Sequence, residues 1–170
     1  MGLENSAPDT TPNDLSSGEP ASRPRLRVCI DADALFAGAA SVSGASHLML
    51  QLGELGIIEV GVPAQAREEA ERNLAVNLPA ALPALRTILA ASCLDLPMTP
   101  SADVDAIAEA GEADPKDAPI LAAALAGACA WLVTFNVRDY RSDRIRVATP
   151  GDFVAALRAE LVRLGDKPST

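Results

Sequence analysis

A chain of 170 residues, 49% of them hydrophobic and with a mean hydropathy of +0.16, carries enough apolar material for one buried core, which excludes disorder throughout. Its formal net charge of −9 argues against a nonspecific grip on duplex nucleic acid, because that affinity comes from basic side chains meeting phosphates. Aromatic residues make up only 3%, so the core is expected from Ala, Leu, Val and Ile, and stacking on bases has little material to work with.

Residues 1–24 form an acidic tail rich in Pro, Ser, Thr and Asn, expected to be disordered; residues 1–22 carry no basic charge and no apolar run of the kind a signal peptide needs. A domain over residues 25–165 follows, and residues 166–170 form a short C-terminal tail. Leu26 to Asp31 reads as a buried first strand, and Ala34 to Ala40 as a short helix or turn behind it. His47 to Leu55 suits a helix stopped by Gly56, with His47 a structural residue among its leucines. Ile57 to Val62 is a second strand. Pro63 then fits the first turn of a helix to about Leu78, with Ala66, Ala70, Leu74 and Asn77 on one face.

Pro79 and Pro83 place another helix to Ala91, and Cys93 to Leu96 makes a short third strand. Ser101 caps a helix from Ala102 to Ala110 that Gly111 ends. The next helix starts near Asp114 to Pro119, with Asp117 its expected cap and Pro119 in the first turn, where no N–H is needed. Trp131 to Phe135 is a fourth strand, Ile145 to Ala148 a fifth, and Asp152 to Leu164 the last helix. Residues 118–137 hold no charge and are about as long as a bilayer is thick. Their alanine content and the break near Gly127 fit a buried helix followed by a buried strand, so no membrane span is expected. Cys29, Cys93 and Cys129 all lie in apolar segments without metal-ligand spacing and read as buried, reduced thiols of a cytoplasmic protein.

Strands alternating with helices predict an α/β fold with a mostly parallel central sheet covered on both faces, where ligands gather beyond the carboxyl ends of the strands. Four acids stand at such places: Asp31 closes the first strand, Glu69 lies in an acidic helix, Asp117 opens an alanine-rich helix, and Asp139 follows the fourth strand. Converging carboxylates repel one another unless a cation holds them. An oxygen-only set of two or three of these carboxylates plus waters favours Mg²⁺ or Mn²⁺, and that metal chemistry suits hydrolysis of a phosphodiester. Each acid has another reading. An unpaired carboxylate such as Asp31 at the end of an apolar strand is costly to bury without a function. Asp114 and Asp117 compete as helix caps, Glu68 and Glu71 share the acidic helix with Glu69, and Asp139 could cap the turn around Tyr140. Arg138, Arg141, Arg144 and Arg146 surround Asp139; Arg138 and Arg141 are candidates for phosphate contact, unless these arginines are solvated or paired with Asp143 and Asp152.

Four segments in order resemble the PIN domain: Ile30 to Phe36, Val62-Pro63 with Glu69 to Leu74, Asp114 to Ala124, and Val133 to Tyr140. The similarity spans roughly residues 26–150. It implies a PIN-like three-layer α/β/α sandwich and a Mg²⁺- or Mn²⁺-dependent endoribonuclease, of the kind that includes the VapC toxins of toxin–antitoxin pairs. It further implies an RNA substrate cut in single-stranded or loop regions to leave a 5′-phosphate, a homodimer, and an antitoxin protein as partner. By motif, the resemblance implies Asp31, Glu69, Asp117 and Asp139 in the catalytic acid positions, Asp31, Asp117 and Asp139 as the metal ligands, and Thr134 and Asn136 orienting the last acid and its water. Asp33 stands where the family usually has asparagine. Two other readings stay open. Asp31-Ala32-Asp33 is similar to the motif of aspartate-nucleophile phosphatases, though no lysine lies between Thr134 and a later acidic pair. A metal-binding but inactive scaffold that docks a partner protein is the third.

Overall fold

The computed structural model of the chain describes residues 25–165; the expected tails 1–24 and 166–170 lie outside the described residues. The elements run β1 (Leu26–Ile30), α1 (Ala32–Ala40), α2 (Ala45–Glu54), β2 (Ile58–Val62), α3 (Ala64–Asn77), α4 (Leu82–Ser92), β3 (Cys93–Asp95), α5 (Ser101–Glu109), α6 (Ala118–Ala126), β4 (Trp131–Val133), β5 (Arg146–Ala148) and α7 (Pro150–Gly165). The stretch at 118–137 divides into α6, β4 and a short 3-10 turn, and no helix among the described residues is long and apolar enough to cross a membrane.

The five strands form one sheet in the order β3-β2-β1-β4-β5, with every pairing parallel. Val28, Cys29 and Ile30 are consecutive and all fully buried, so both faces of β1 are covered, as a sheet sandwiched between helix layers requires. The runs that form β1, β2 and β4 are the central strands, while β3 and β5 lie at the edges and keep exposed residues. Leu35, Met49, Leu50, Leu74, Leu85 and Leu121 fill the layers, and Trp131 meets Phe153 edge to face at 5.4 Å. Cys29 and Cys129 are buried, Cys93 is half-buried, and all three are free thiols.

The chain builds outward from β1 through β2 to β3, then crosses back to lay β4 on the other side of β1. That reversal opens a crevice at the carboxyl ends of β1 and β4. Ile30 is in register with Val133, so Asp31 and Thr134 leave the sheet side by side, and the Asp31 N–H donates to the Val133 carbonyl at 2.9 Å.

Some boundaries differ from the expected ones. The helix after β1 starts at Ala32 instead of Ala34, because Asp31 itself occupies the N-cap position and its side chain accepts from the Ala32 N–H. β4 stops at Val133 instead of Phe135, since the Thr134 hydroxyl bonds to Asp33 and to the Asn136 N–H and turns the chain out of the sheet.

Candidate metal centre

Backbone hydrogen bonds assemble the centre. Residues 112–114 run antiparallel to residues 139–141, with Ala113 facing Tyr140, the Asp114 N–H donating to the Asp139 carbonyl at 3.0 Å and the Arg141 N–H donating to the Glu112 carbonyl. The 3-10 turn Val137–Asp139 carries Asp139, and a turn closed by the Asp117 N–H on the Asp114 carbonyl carries the other two acids. As a result Asp114, Asp117 and Asp139, all half-buried, each offer a carboxylate oxygen within 4.8 Å of the others. Asp114 entered the sequence reading only as a rival helix cap. Its spacing of three residues from Asp117 at the head of a helix was the available signal, since that spacing puts both acids in one turn.

Asp117 does occupy the N-cap position of α6, but its side chain makes no capping hydrogen bond. Its Oδ2 is buried and lacks a hydrogen-bond partner. Lys116 Nζ stands 3.5 Å from that oxygen and 3.6 Å from Asp139 Oδ2, at ion-pair distance from both. Loss of hydration raises the Asp117 carboxyl above its ordinary value, Lys116 opposes the rise, and the charges of Asp31 and Asp139 add to it. An orphaned carboxylate oxygen among like charges, with an ammonium drawn to the same spot, is a donor set that fits a hard divalent cation.

Asp31 is 6% exposed and lies outside the tight group of three, though its charge reaches Asp117. Its Oδ1 accepts from the Ala32 N–H at 2.6 Å and its Oδ2 from the Tyr140 hydroxyl at 3.1 Å. Tyr140 is a residue that the sequence reading passed over. Burial, and then the neighbouring Asp31, push its phenol well above the ordinary range, so it remains a donor. Glu69 is half-buried on α3 while Glu68 is exposed, but Glu69 belongs to no acid group among the described residues.

Thr134 and Asn136 turn their polar side chains to Asp33. Asp33 Oδ2 accepts from the Phe135 N–H at 3.1 Å and from Asn136 Nδ2 at 3.0 Å, and Thr134 Oγ1 lies 3.4 Å from both Asp33 oxygens. Asn136 reaches Asp139 through its carbonyl, which accepts the Asp139 N–H at 3.0 Å. Asp33 thus ties the start of α1 to the loop after β4, and burial followed by the charge of Asp31 raises its carboxyl above the ordinary value.

The arginines divide. Arg141 pairs with Asp114 at 3.1 Å, Arg144 with Glu112 at 3.4 Å, and Arg146 lies over the Trp131 ring at 5.3 Å. Asp152 accepts from the Thr149 hydroxyl instead of an arginine. Arg138 is exposed and forms no ion pair among the described residues.

No curated protein matches the chain. Among solved structures it is similar to PAE2754 from Pyrobaculum aerophilum, with a TM-score of 0.58 and 19% identity, covering 79% of this chain and 96% of that one. It is also similar to VapBC2 from Rickettsia felis, solved bound to a DNA fragment from its promoter, with a TM-score of 0.57 and 12% identity, covering 73% of this chain and 98% of that one. At these identities the likeness shows the shared fold. A family model, the PIN domain, matches residues 27–138, from β1 to the residue before Asp139. That match covers well over half of the sequence and runs through the crevice just described, and so the chain belongs to the PIN domain family.

Proposed function

We propose that this protein is a metal-dependent endoribonuclease, with Asp117 and Asp139 as the principal ligands of Mg²⁺ or Mn²⁺, Asp31 completing the set, and Asp114 beside them. The observation that carries the reading is the buried Asp117 Oδ2, which no hydrogen-bond donor satisfies and Lys116 only approaches at ion-pair distance, among acids at the crevice where the strand order reverses. Membership of a family whose members are generally nucleases supports it. A divalent cation held by these acids would supply Lewis acidity to activate water and to offset the charge that builds on the phosphoryl oxygens. The residues of the chain do the rest. Tyr140 and the Ala32 N–H fix the Asp31 carboxylate. Lys116 gives up its place between Asp117 and Asp139, and Arg138, exposed one residue before Asp139, meets a phosphate. Arg141 can do so only by releasing Asp114. Glu69 joins the acids only through a movement of α3 or of its own side chain.

The phosphatase reading has less support: Asp33 is engaged by Phe135, Asn136 and Thr134, and no lysine lies between Thr134 and a later acidic pair. The fold shared with a VapBC pair is compatible with a toxin that has an antitoxin partner; that it acts on RNA in the cytoplasm as a homodimer is our proposal from the family resemblance alone. In that case expression alone slows growth and co-expression of the antitoxin restores it; unaffected growth at high expression counts against the toxin role.

The deciding experiment is cleavage of a mixed pool of structured and single-stranded RNAs with Mn²⁺, comparing the wild type with Asp117→Asn. The variant is expected to lose cleavage and to bind Mn²⁺ at least about tenfold more weakly. A wild type that binds Mn²⁺ and cuts no RNA would shift the reading to an inactive scaffold.

A further inference from the structure

The whole chain holds five aromatic residues, Phe36, Trp131, Phe135, Tyr140 and Phe153. Trp131 and Phe153 pack against each other, Tyr140 is buried on Asp31, and Phe36 is half-buried against the core. Phe135 alone among them is left in solvent, 53% exposed, on the segment beyond β4 that also carries Asp139, four residues before that acid. Its main chain is pinned on both sides, since its own N–H and the neighbouring Asn136 Nδ2 both donate to Asp33 Oδ2. The ring therefore projects from a fixed backbone. Beside it Ala37, Gly44, Ala45, Pro150 and Gly151 help to line an open, mainly apolar cleft of about 530 Å³.

We propose that Phe135 is a stacking platform for a base of a single-stranded RNA whose phosphate lies at the acid centre. This rests on the ribonuclease reading and deepens it. An exposed aromatic face offers every base a partner without regard to sequence, at little entropic cost because the ring is already placed. With a net charge of −9, the protein has few cations to spend on the backbone, and stacking supplies affinity that charge does not.

The test is steady-state cleavage of a single-stranded oligonucleotide by the full chain with Mn²⁺, comparing wild type, Phe135→Ala, Phe135→Leu and Phe135→Trp, each checked for an unchanged melting temperature. Phe135→Ala and Phe135→Leu are expected to raise KM about tenfold, with a smaller change in kcat, and Phe135→Trp to restore it. Equal KM for Phe135→Ala and an active wild type overturns the platform and leaves the nuclease standing. Wild-type behaviour of Phe135→Leu also overturns it, because any apolar side chain would then serve, as at a protein contact. Should the wild type cut no RNA, the ribonuclease reading is the one that fails. Fluorescence of Phe135→Trp then decides the platform by itself: quenching by the oligonucleotide sustains it, and no quenching ends it.

Discussion

Asp31 is nearly enclosed, and a carboxylate in such a place is tolerable only when donors replace the water it has lost. Two do, the Ala32 N–H and the Tyr140 hydroxyl. Tyr140→Phe keeps the ring and removes one donor, so the metal-free protein is expected to lose about 1–3 kcal/mol, read as a fall of several degrees in Tm. An unchanged Tm would show that the hydroxyl does not serve Asp31. The placement of Asp31 at the buried end of β1 was legible in the sequence, because the acid closes an apolar run. That of Tyr140 was not: its partner is 109 residues away, and nothing near it in sequence announces the contact. Asp114 lay between, with its spacing to Asp117 visible and its proximity to Asp139 hidden until the backbone brought residues 112–114 and 139–141 together.

Elements place these residues through close packing. α1 carries Asp31 at its head and rests on α2 at Gly38, where a Cβ would come within 2.7 Å of Leu50 Cδ1 and 3.1 Å of the Ser46 carbonyl. The side chain could yield but the carbonyl belongs to the backbone of α2. Gly38→Ala is therefore expected to cost about 1–3 kcal/mol by thermal or urea unfolding, and to weaken Mn²⁺ binding by tilting α1. Wild-type stability in that variant would mean that the helices separate freely. The order of strands and helices along the chain was legible from apolar runs broken by Gly and Pro. Their ends were less so where no such residue marks them: α1 follows β1 directly, and β4 gives way to a loop at Thr134 through a hydroxyl whose bond to Asp33 spans 101 residues.

For the whole molecule, alternation of strand and helix predicted a parallel sheet, but not that β4 would lie against β1. Neighbours in a sheet are chosen by long-range packing, and the crevice exists only because of that choice. Charge acts at the same scale. Most arginines around the centre are already engaged, so binding of single-stranded RNA is expected to neutralise only one or two phosphates, giving a slope of log K against log salt of roughly −0.7 to −1.4. A slope steeper than about −3 would reveal a basic track not built by these side chains. The pairing of residues 112–114 with 139–141 carries a last consequence. Main-chain atoms make it, so it does not depend on which side chains occupy Glu112 or Arg141, and only a proline at 114 or 141 would remove a donor. Exchanging the surface side chains around it is therefore expected to leave the spacing of Asp114 and Asp139 in place, because backbone shape sets it.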